Sequence, residues 1–304
     1  MKEFDVILLT ESCYENPKEI DQYVQNVITE DGLVKNALED LGCRVKIVPW
    51  DKKDFNWSSA YVAIFRTTWD YFHRFKEFNN WLISVKEKIQ LVNSYQEIMW
   101  NLDKHYLKEL SEKNINIPSS HFIPKKTNHS LSDIMDQTNW NKIVLKPTIS
   151  GGARHTFKIT KNQVSNYEDK FKELIKHEDF MIQEFQDNIL TKGEMSFMLF
   201  GGKYSHAVRK MAKKGDFRVQ DDFGGSVHQH QANAKEISFA ENVISVLEKQ
   251  PIYARVDVIW DNNNELAVSE LELIEPELWF RFMPESAQKM AHLVFKKLNE
   301  IKNI

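Results

Sequence analysis

Lys142–Thr156, read as K-I-V-L-K-P-T-I-S-G-G-A-R-H-T, is the stretch on which the fold turns. It opens with Ile143-Val144-Leu145, a short β-branched apolar run of the kind that makes a buried strand, and the run stops at Lys146-Pro147. A strand end is a rigid mount for a side chain. After Ser150, the adjacent Gly151 and Gly152 supply backbone that can take positive φ and approach a ligand closely. Thr148, Ser150 and Thr156 add hydroxyls and Arg154 a guanidinium, an inventory suited to phosphate oxygens. A hairpin turn would by itself account for Gly-Gly. The lysine on one side and the arginine on the other favour an anion-binding loop.

Working outward, 304 residues are enough for two or three packed subdomains with ample core. Hydrophobic content of 42% and charged content of 28% belong to a globular chain, and a net charge of -4 gives no global positive field for nucleic acid or an anionic membrane. Anionic ligands must therefore be held locally. Val6-Ile7-Leu8-Leu9 is too short for a signal or spanning segment and reads as a first core strand. Cys13 and Cys43 have no metal or disulfide spacing, and the cytoplasm is the expected compartment.

The first ninety residues alternate strand and helix. A helical pattern runs from Ile20 to Ile28 and resumes after Gly32 to Leu41, Gly42 stands where a helix C′ residue belongs, and Arg44–Val48 and Tyr61–Phe65 read as strands. Such an open α/β sheet collects ligands at the carboxyl ends of its strands. There lies Arg66-Thr67-Thr68-Trp69-Asp70-Tyr71, either a helix cap before Phe75 or a substrate pocket with Arg66 gripping a carboxylate. Leu91-Val92-Asn93 is a short strand, and Ser94-Tyr95-Gln96-Glu97 fits a capping box. The helix opened there carries Lys104. Further on, Phe180–Phe185 is a strand, Glu194–Phe200 and Lys203–Arg209 form a hairpin across Gly201-Gly202, and a helix from about Glu285 to Ile301 closes the chain. The expected division is 1–93, 94–178 and 179–304.

Near the end, Arg255 and Asp257 lie two apart on one strand, and Glu270 and Glu272 two apart on the next, so each pair shares a face. If the strands pair across the Asp261–Asn264 turn, three carboxylates converge, and they repel unless a cation sits between them. Hard oxygen ligands without His or Cys select Mg²⁺ or Mn²⁺. Apolar Val256, Val258, Leu271 and Leu273 at the alternate positions argue against an exposed charged face. His228 and His230 share a face too, but with no third ligand in view.

Together these pieces resemble the ATP-grasp superfamily, and most its glutathione-synthetase and cyclo-ligase branch of carboxylate-amine ligases. The resemblance is carried by Lys104, Val144-Leu145-Lys146-Pro147 with Ser150-Gly151-Gly152, Gln183-Glu184-Phe185, Gly193-Glu194, Arg255-Val256-Asp257, and Glu270-Leu271-Glu272 followed by Glu275-Pro276. Their order is the specific signal, and no P-loop or GxGxxG competes with it. It implies an ATP-grasp fold of α+β subdomains clasping ATP behind an N-terminal open α/β domain. It further implies that Lys104, Lys146, Ser150, Gly151, Gly152 and Arg154 meet the phosphates, that Gln183, Glu184 and Phe185 line the adenine pocket, and that Glu194 binds the ribose. Asp257, Glu270 and Glu272 would carry Mg²⁺, with Glu272 standing where much of the superfamily has asparagine. Arg218 and Arg255 would face the transferring phosphoryl group. Substrate contacts are expected from Arg66, Thr68, Trp69 and Tyr71 and from a loop spanning 211–225.

The activity so implied is ATP-dependent ligation of a small amino-acid-type carboxylate to an amine, with an intramolecular cyclo-ligase as the near alternative. A nucleotide-binding module without turnover and a phosphotransferase are the readings from other classes. The expected partners are small molecules rather than nucleic acid or membrane. A homodimer is compatible with the sequence, although no long apolar face demands one.

Overall fold

The computed structural model describes residues 2–219 and 224–303. Its first unit runs β1 (Phe4–Thr10), α1 (Ser12–Glu15), α2 (Gln22–Asp40), β2 (Val45–Pro49), β3 (Ala60–Thr67), α3 (Phe75–Val85) and β4 (Gln90–Val92). The strands stand in the order β2-β1-β3-β4, all parallel, as their near-continuous apolar runs require of strands covered on both faces. Helix α2 passes through Gly32 without interruption; Asp21 caps its start by accepting from Val24 N, and its buried Val27, Val34 and Leu38 keep the helical period. Helix α3 has no side-chain cap. Arg74 occupies the N-cap position, and Asp70 instead accepts from Trp50 Nε1 and Arg74.

Next come α4 (Tyr95–Asn101), α5 (Tyr106–Glu112), β5 (Ser120–Ile123), α6 (Leu131–Thr138), β6 (Lys142–Pro147), β7 (Phe157–Thr160), α7 (Val164–Leu174) and β8 (Phe180–Glu184). They form an antiparallel sheet in the order β5-β8-β6-β7, backed by Ile134, Met135 and Phe171. The Ser94–Glu97 capping box opens α4 as expected. Lys104, however, is not in a helix. It sits in the break between α4 and α5, where Asp103 accepts from His105 N and the Lys104 backbone N–H donates to the Thr148 carbonyl.

The last unit is α8 (Ile189–Lys192), β9 (Glu194–Phe200), β10 (Lys203–Met211), β11 (Ser226–His230), α9 (Ala234–Ser245), β12 (Tyr253–Trp260), β13 (Leu266–Glu272) and α10 (Ser286–Lys302), with sheet order β11-β10-β9-β12-β13. The parallel sheet ends with β4 at Val92, and beyond it the strand pairing crosses position 179. Strand β8 lies beyond 178 yet belongs to the middle sheet, and Tyr106, Leu107 and Leu110 of α5 pack into the core of the last one. Helix α10 returns to the first unit, burying Met290, Ala291, Val294 and Leu298 in one core with Val34 and Leu38 of α2. Among the described residues no helix is long and apolar enough to cross a membrane.

Candidate active site

Strands β12 and β13 pair with Arg255 opposite Glu272 and Asp257 opposite Glu270, so the two expected pairs do converge on one sheet face. Carboxylate oxygens of Asp257, Glu270 and Glu272 all lie within 4.8 Å of one another. Three anions this close are tolerable only with cations interleaved. Arg255 donates to both Asp257 oxygens at 2.9 and 2.8 Å and also pairs with Glu272; Lys104 meets Glu270 at 3.0 Å. Burial raises every one of these carboxyls, but Arg255 and Lys210 hold Asp257 down at about 2, and Lys104 and Lys146 keep Glu270 below its ordinary value. Glu272 is left over. Burial and the neighbouring Asp257 and Glu270 push it up to about 8 despite Arg255.

That excess is the test of the expected metal. A donor set of carboxylate oxygens alone, with surplus negative charge, fits Mg²⁺ or Mn²⁺, whose ligand oxygens at about 2.1 Å lie about 3 to 4 Å apart around one ion. His228 and His230 take no part: they are hydrogen-bonded with Ser226 and Glu236.

The carboxylates form the floor of a cleft of about 620 Å³. One wall comes from the glycine loop after β6. Lys146 lines it, with its ammonium form disfavoured by burial, and Lys104 Nζ donates to the Ser150 carbonyl at 2.6 Å, tying the loop to the floor. Ser150, Gly151 and Gly152 line the cleft. Arg154 does not reach it, because Glu178 takes both its Nη atoms and the Ile149 carbonyl accepts from it; its charge braces the loop from behind. Gln183, whose amide donates to Ser120 Oγ at 2.9 Å, lines the cleft beside Glu184 and Phe185, and Lys158 covers the Phe185 ring at 4.0 Å.

Glu194 lies in the cleft at the start of β9, where Ser269 donates to it and Lys210 pairs with it at 2.5 Å. Gly193 makes this start possible: its φ is +69°, and a Cβ there would run into the Lys210 carbonyl. Lys210 also reaches Asp257 at 3.3 Å, although it was not among the expected site residues. Its ammonium and the Arg255 guanidinium both face the Trp279 ring, at 5.6 and 5.0 Å. Arg218 lines the cleft and pairs with Asp216 at 2.7 Å; of the expected substrate loop, residues 220–223 lie outside the described residues.

The third wall belongs to the first unit. Trp69 and Tyr71 line it with Phe72, while Tyr14 and Tyr23 pack on Trp69. Arg66 and Thr68 are not there. Arg66 is 1% exposed and holds Asp31 at 3.2 Å, Glu30 at 3.4 Å and the Pro276 carbonyl, so the carboxylates it grips are the chain's own. Thr68 is fully buried.

Lysines, a glycine loop and three carboxylates thus line one cleft, and the superfamily that the sequence resembles is matched by a family model. The model described as the prokaryotic glutathione synthetase ATP-grasp domain matches residues 113–271, more than half of the chain. The chain belongs to the ATP-grasp family. A second model, the N-terminal domain of the D-cycloserine synthetase DcsG, matches residues 6–93. The cycloserine biosynthesis protein DcsG of Streptomyces lavendulae is 23% identical over 279 residues, 86% of this chain and 91% of that protein. The crystal structure of the D-cycloserine synthetase DcsG superposes with a TM-score of 0.84 at 19% identity, over 96% of this chain and 99% of that one. D-alanine–D-alanine ligase from Bacillus anthracis, complexed with ATP, gives 0.61 at 13% identity over 99% of each chain. These structural likenesses are of fold. As an ATP-grasp protein the chain is an ATP-dependent ligase of carbon–nitrogen bonds, in a family that uses ATP and Mg²⁺.

Proposed function

We propose that this ATP-grasp ligase activates a small amino-acid-type carboxylate as an acyl phosphate and joins it to an amine, releasing ADP and phosphate. The observation that carries the reading is the convergence of Lys104, Lys146, Lys210 and Arg255 on the Asp257–Glu270–Glu272 floor of one cleft. A carboxylate is a poor electrophile because its leaving group would be oxide. In the first step its oxygen attacks the γ-phosphorus of ATP and the bond to ADP breaks. The amine nitrogen then attacks the carbonyl carbon, the carbon–oxygen bond to phosphate breaks, and the nitrogen gives up a proton.

Lys104 and Lys146 neutralise phosphate charge, and Arg255 stabilises the oxyanion that forms when the amine adds. Asp257, Glu270 and Glu272 would hold Mg²⁺, which when bound screens the phosphate oxygens. The glycine loop, pinned through Ser150 to Lys104, keeps water from the acyl phosphate. Gln183 and Phe185 take the adenine and Glu194 the ribose.

A second reading, in which one molecule supplies both carboxylate and amine and closes on itself, is favoured by the match of residues 6–93 to the DcsG N-terminal domain and by the relative from Streptomyces lavendulae. The test is ADP release with ATP and Mg²⁺ across amino acids, dipeptides and amino-oxy acids, with hydroxylamine as a trap. Substrate-dependent ADP with a hydroxamate is the expected result, and the mass of the untrapped product separates cyclisation from ligation. Nucleotide binding with no ADP from any acid would overturn the reading.

A further inference from the structure

Strand β13, which carries Glu270 and Glu272, is the outermost strand of its sheet and pairs on one side only, with β12. The outward main-chain groups of such a strand have no ladder to join, and where they are buried they need partners of another kind. Leu271 and Leu273 are each 1% exposed. Side chains stand in for the absent strand. Asn101 Nδ2 donates to the Leu271 carbonyl at 2.8 Å and its Oδ1 accepts from Leu273 N at 2.7 Å, so a single amide spans the main chain on both sides of Glu272. The Tyr106 hydroxyl accepts from Leu271 N at 3.1 Å, in the peptide that joins Leu271 to Glu270. Asn101 and Tyr106 are both buried, and they flank Lys104, whose Nζ meets Glu270 at 3.0 Å.

We propose that Asn101 and Tyr106 are positioning residues for the metal-binding carboxylates, acting through the main chain of β13. The inference rests on the reading in which Asp257, Glu270 and Glu272 hold Mg²⁺, and it adds what fixes two of the three. Arg255 and Lys104 pair with the carboxylate ends of Glu272 and Glu270, but neither restrains the backbone from which those side chains spring. Asn101 and Tyr106 restrain it from the side opposite β12, so the strand can neither shift along its partner nor roll about its axis without breaking buried hydrogen bonds. Because both brackets and Lys104 lie in the one segment 101–106, the lysine and the carboxylates move as one body. Groups that orient ligands in this way hold metal affinity even though they never touch the ion.

Asn116 supplies the comparison. Its Nδ2 donates to the Leu266 carbonyl at 3.0 Å, at the end of the same strand away from the carboxylates. The test measures Mn²⁺ binding by electron paramagnetic resonance, with the protein saturated with a non-hydrolysable ATP analogue and the analogue alone as blank. Asn101→Leu and Tyr106→Phe should each weaken Mn²⁺ binding by about tenfold or more, and the Mg²⁺ needed for half-maximal ADP release should rise in step. Asn116→Ala should leave both unchanged. Wild-type Mn²⁺ affinity in a folded Asn101 or Tyr106 variant overturns the inference, as does an equal loss in Asn116→Ala, which would mark the effect as general loosening of the strand. A wild type that binds no Mn²⁺ beyond the blank overturns the metal reading itself, and the positioning role with it. Tyr106→Phe removes one oxygen atom and decides the matter even if Asn101→Leu fails to fold.

Discussion

Lys210 is the residue on which two carboxylates of the cleft depend. It is 4% exposed, and it lies between Glu194 and Asp257. Breaking a buried pair by removing one partner costs about 3–5 kcal/mol, because the anion left behind has no counter-charge. Lys210→Met should therefore lower the melting temperature and abolish ADP release together. A variant that melts like the wild type and still turns over would show that Lys210 is dispensable. The residue was hard to find from sequence for a definite reason. Counting back evenly from the Gly201-Gly202 turn sets Arg209 opposite Glu194, but an irregularity between Tyr204 and His206 shifts the ladder by one, and Lys210 takes the inward place. Lys146, Asp257, Glu270 and Glu272 were legible because each ends or alternates within an apolar run whose period declares its face. Arg66 has the same kind of position, and only the fold reveals that Glu30 and Asp31 occupy it.

At the scale of elements, the glycine loop and the segment after β3 are in contact although they belong to different units. A Cβ at Gly151 would come within 2.5 Å of Phe72 Cε1 and 2.7 Å of Cδ1, closer than side chains pack. Gly151→Ala must move either the aromatic ring or the loop that carries Ser150. We expect KM for ATP to rise about tenfold, an effect of about 1.4 kcal/mol. Phe72→Ala in the same chain should return part of the loss, because it removes the obstacle. Additive effects in the double mutant would mean that the ring and the loop do not communicate. The strand-and-glycine signature of this loop was plain in the sequence, but its opponent was not, since nothing local marks Phe72. Helix α9 was missed despite a capping box formed by Asn233 and Glu236 at its start, and β7 and β11 are short strands whose existence depends on neighbours. Lys104 was expected on a helix because the apolar spacing carries through the break that Asp103 creates.

For the whole molecule, the seam that matters runs through residues 275–282, which link the carboxylate floor to α10. Glu30 on α2 accepts from the backbone N–H of Leu278 at 2.6 Å and of Phe280 at 3.0 Å, and Arg66 holds Glu30 from the other side. Contacts between residues so far apart in the chain leave no trace in local patterning. Arg66→Met strands Glu30 and Asp31 as buried anions, so its main effect should be a loss of about 3–5 kcal/mol in denaturant unfolding, with substrate KM little changed. A selective rise in KM at full stability would restore the view of Arg66 as a substrate clamp. The same seam carries a pH dependence. His206 on β10 is 3% exposed, its Nε2 bonds the Leu278 carbonyl at 2.8 Å, and its Nδ1 has no partner among the described residues. Burial pushes it down from 6.5 to about 4. Between those values the unfolded chain takes up a proton that the folded chain refuses. The stabilisation is therefore complete above about pH 6.5 and is lost as pH falls toward 4, by at most about 3 kcal/mol. Glu30, which burial pushes up to about 7, works in the opposite sense, losing stability as pH rises toward that value, so the two must be separated by difference. His206→Phe fills the site without a titrating ring. Urea unfolding at pH 7 and pH 5 should show a smaller drop on acidification in this variant than in the wild type, and equal drops would assign the acid sensitivity to other groups.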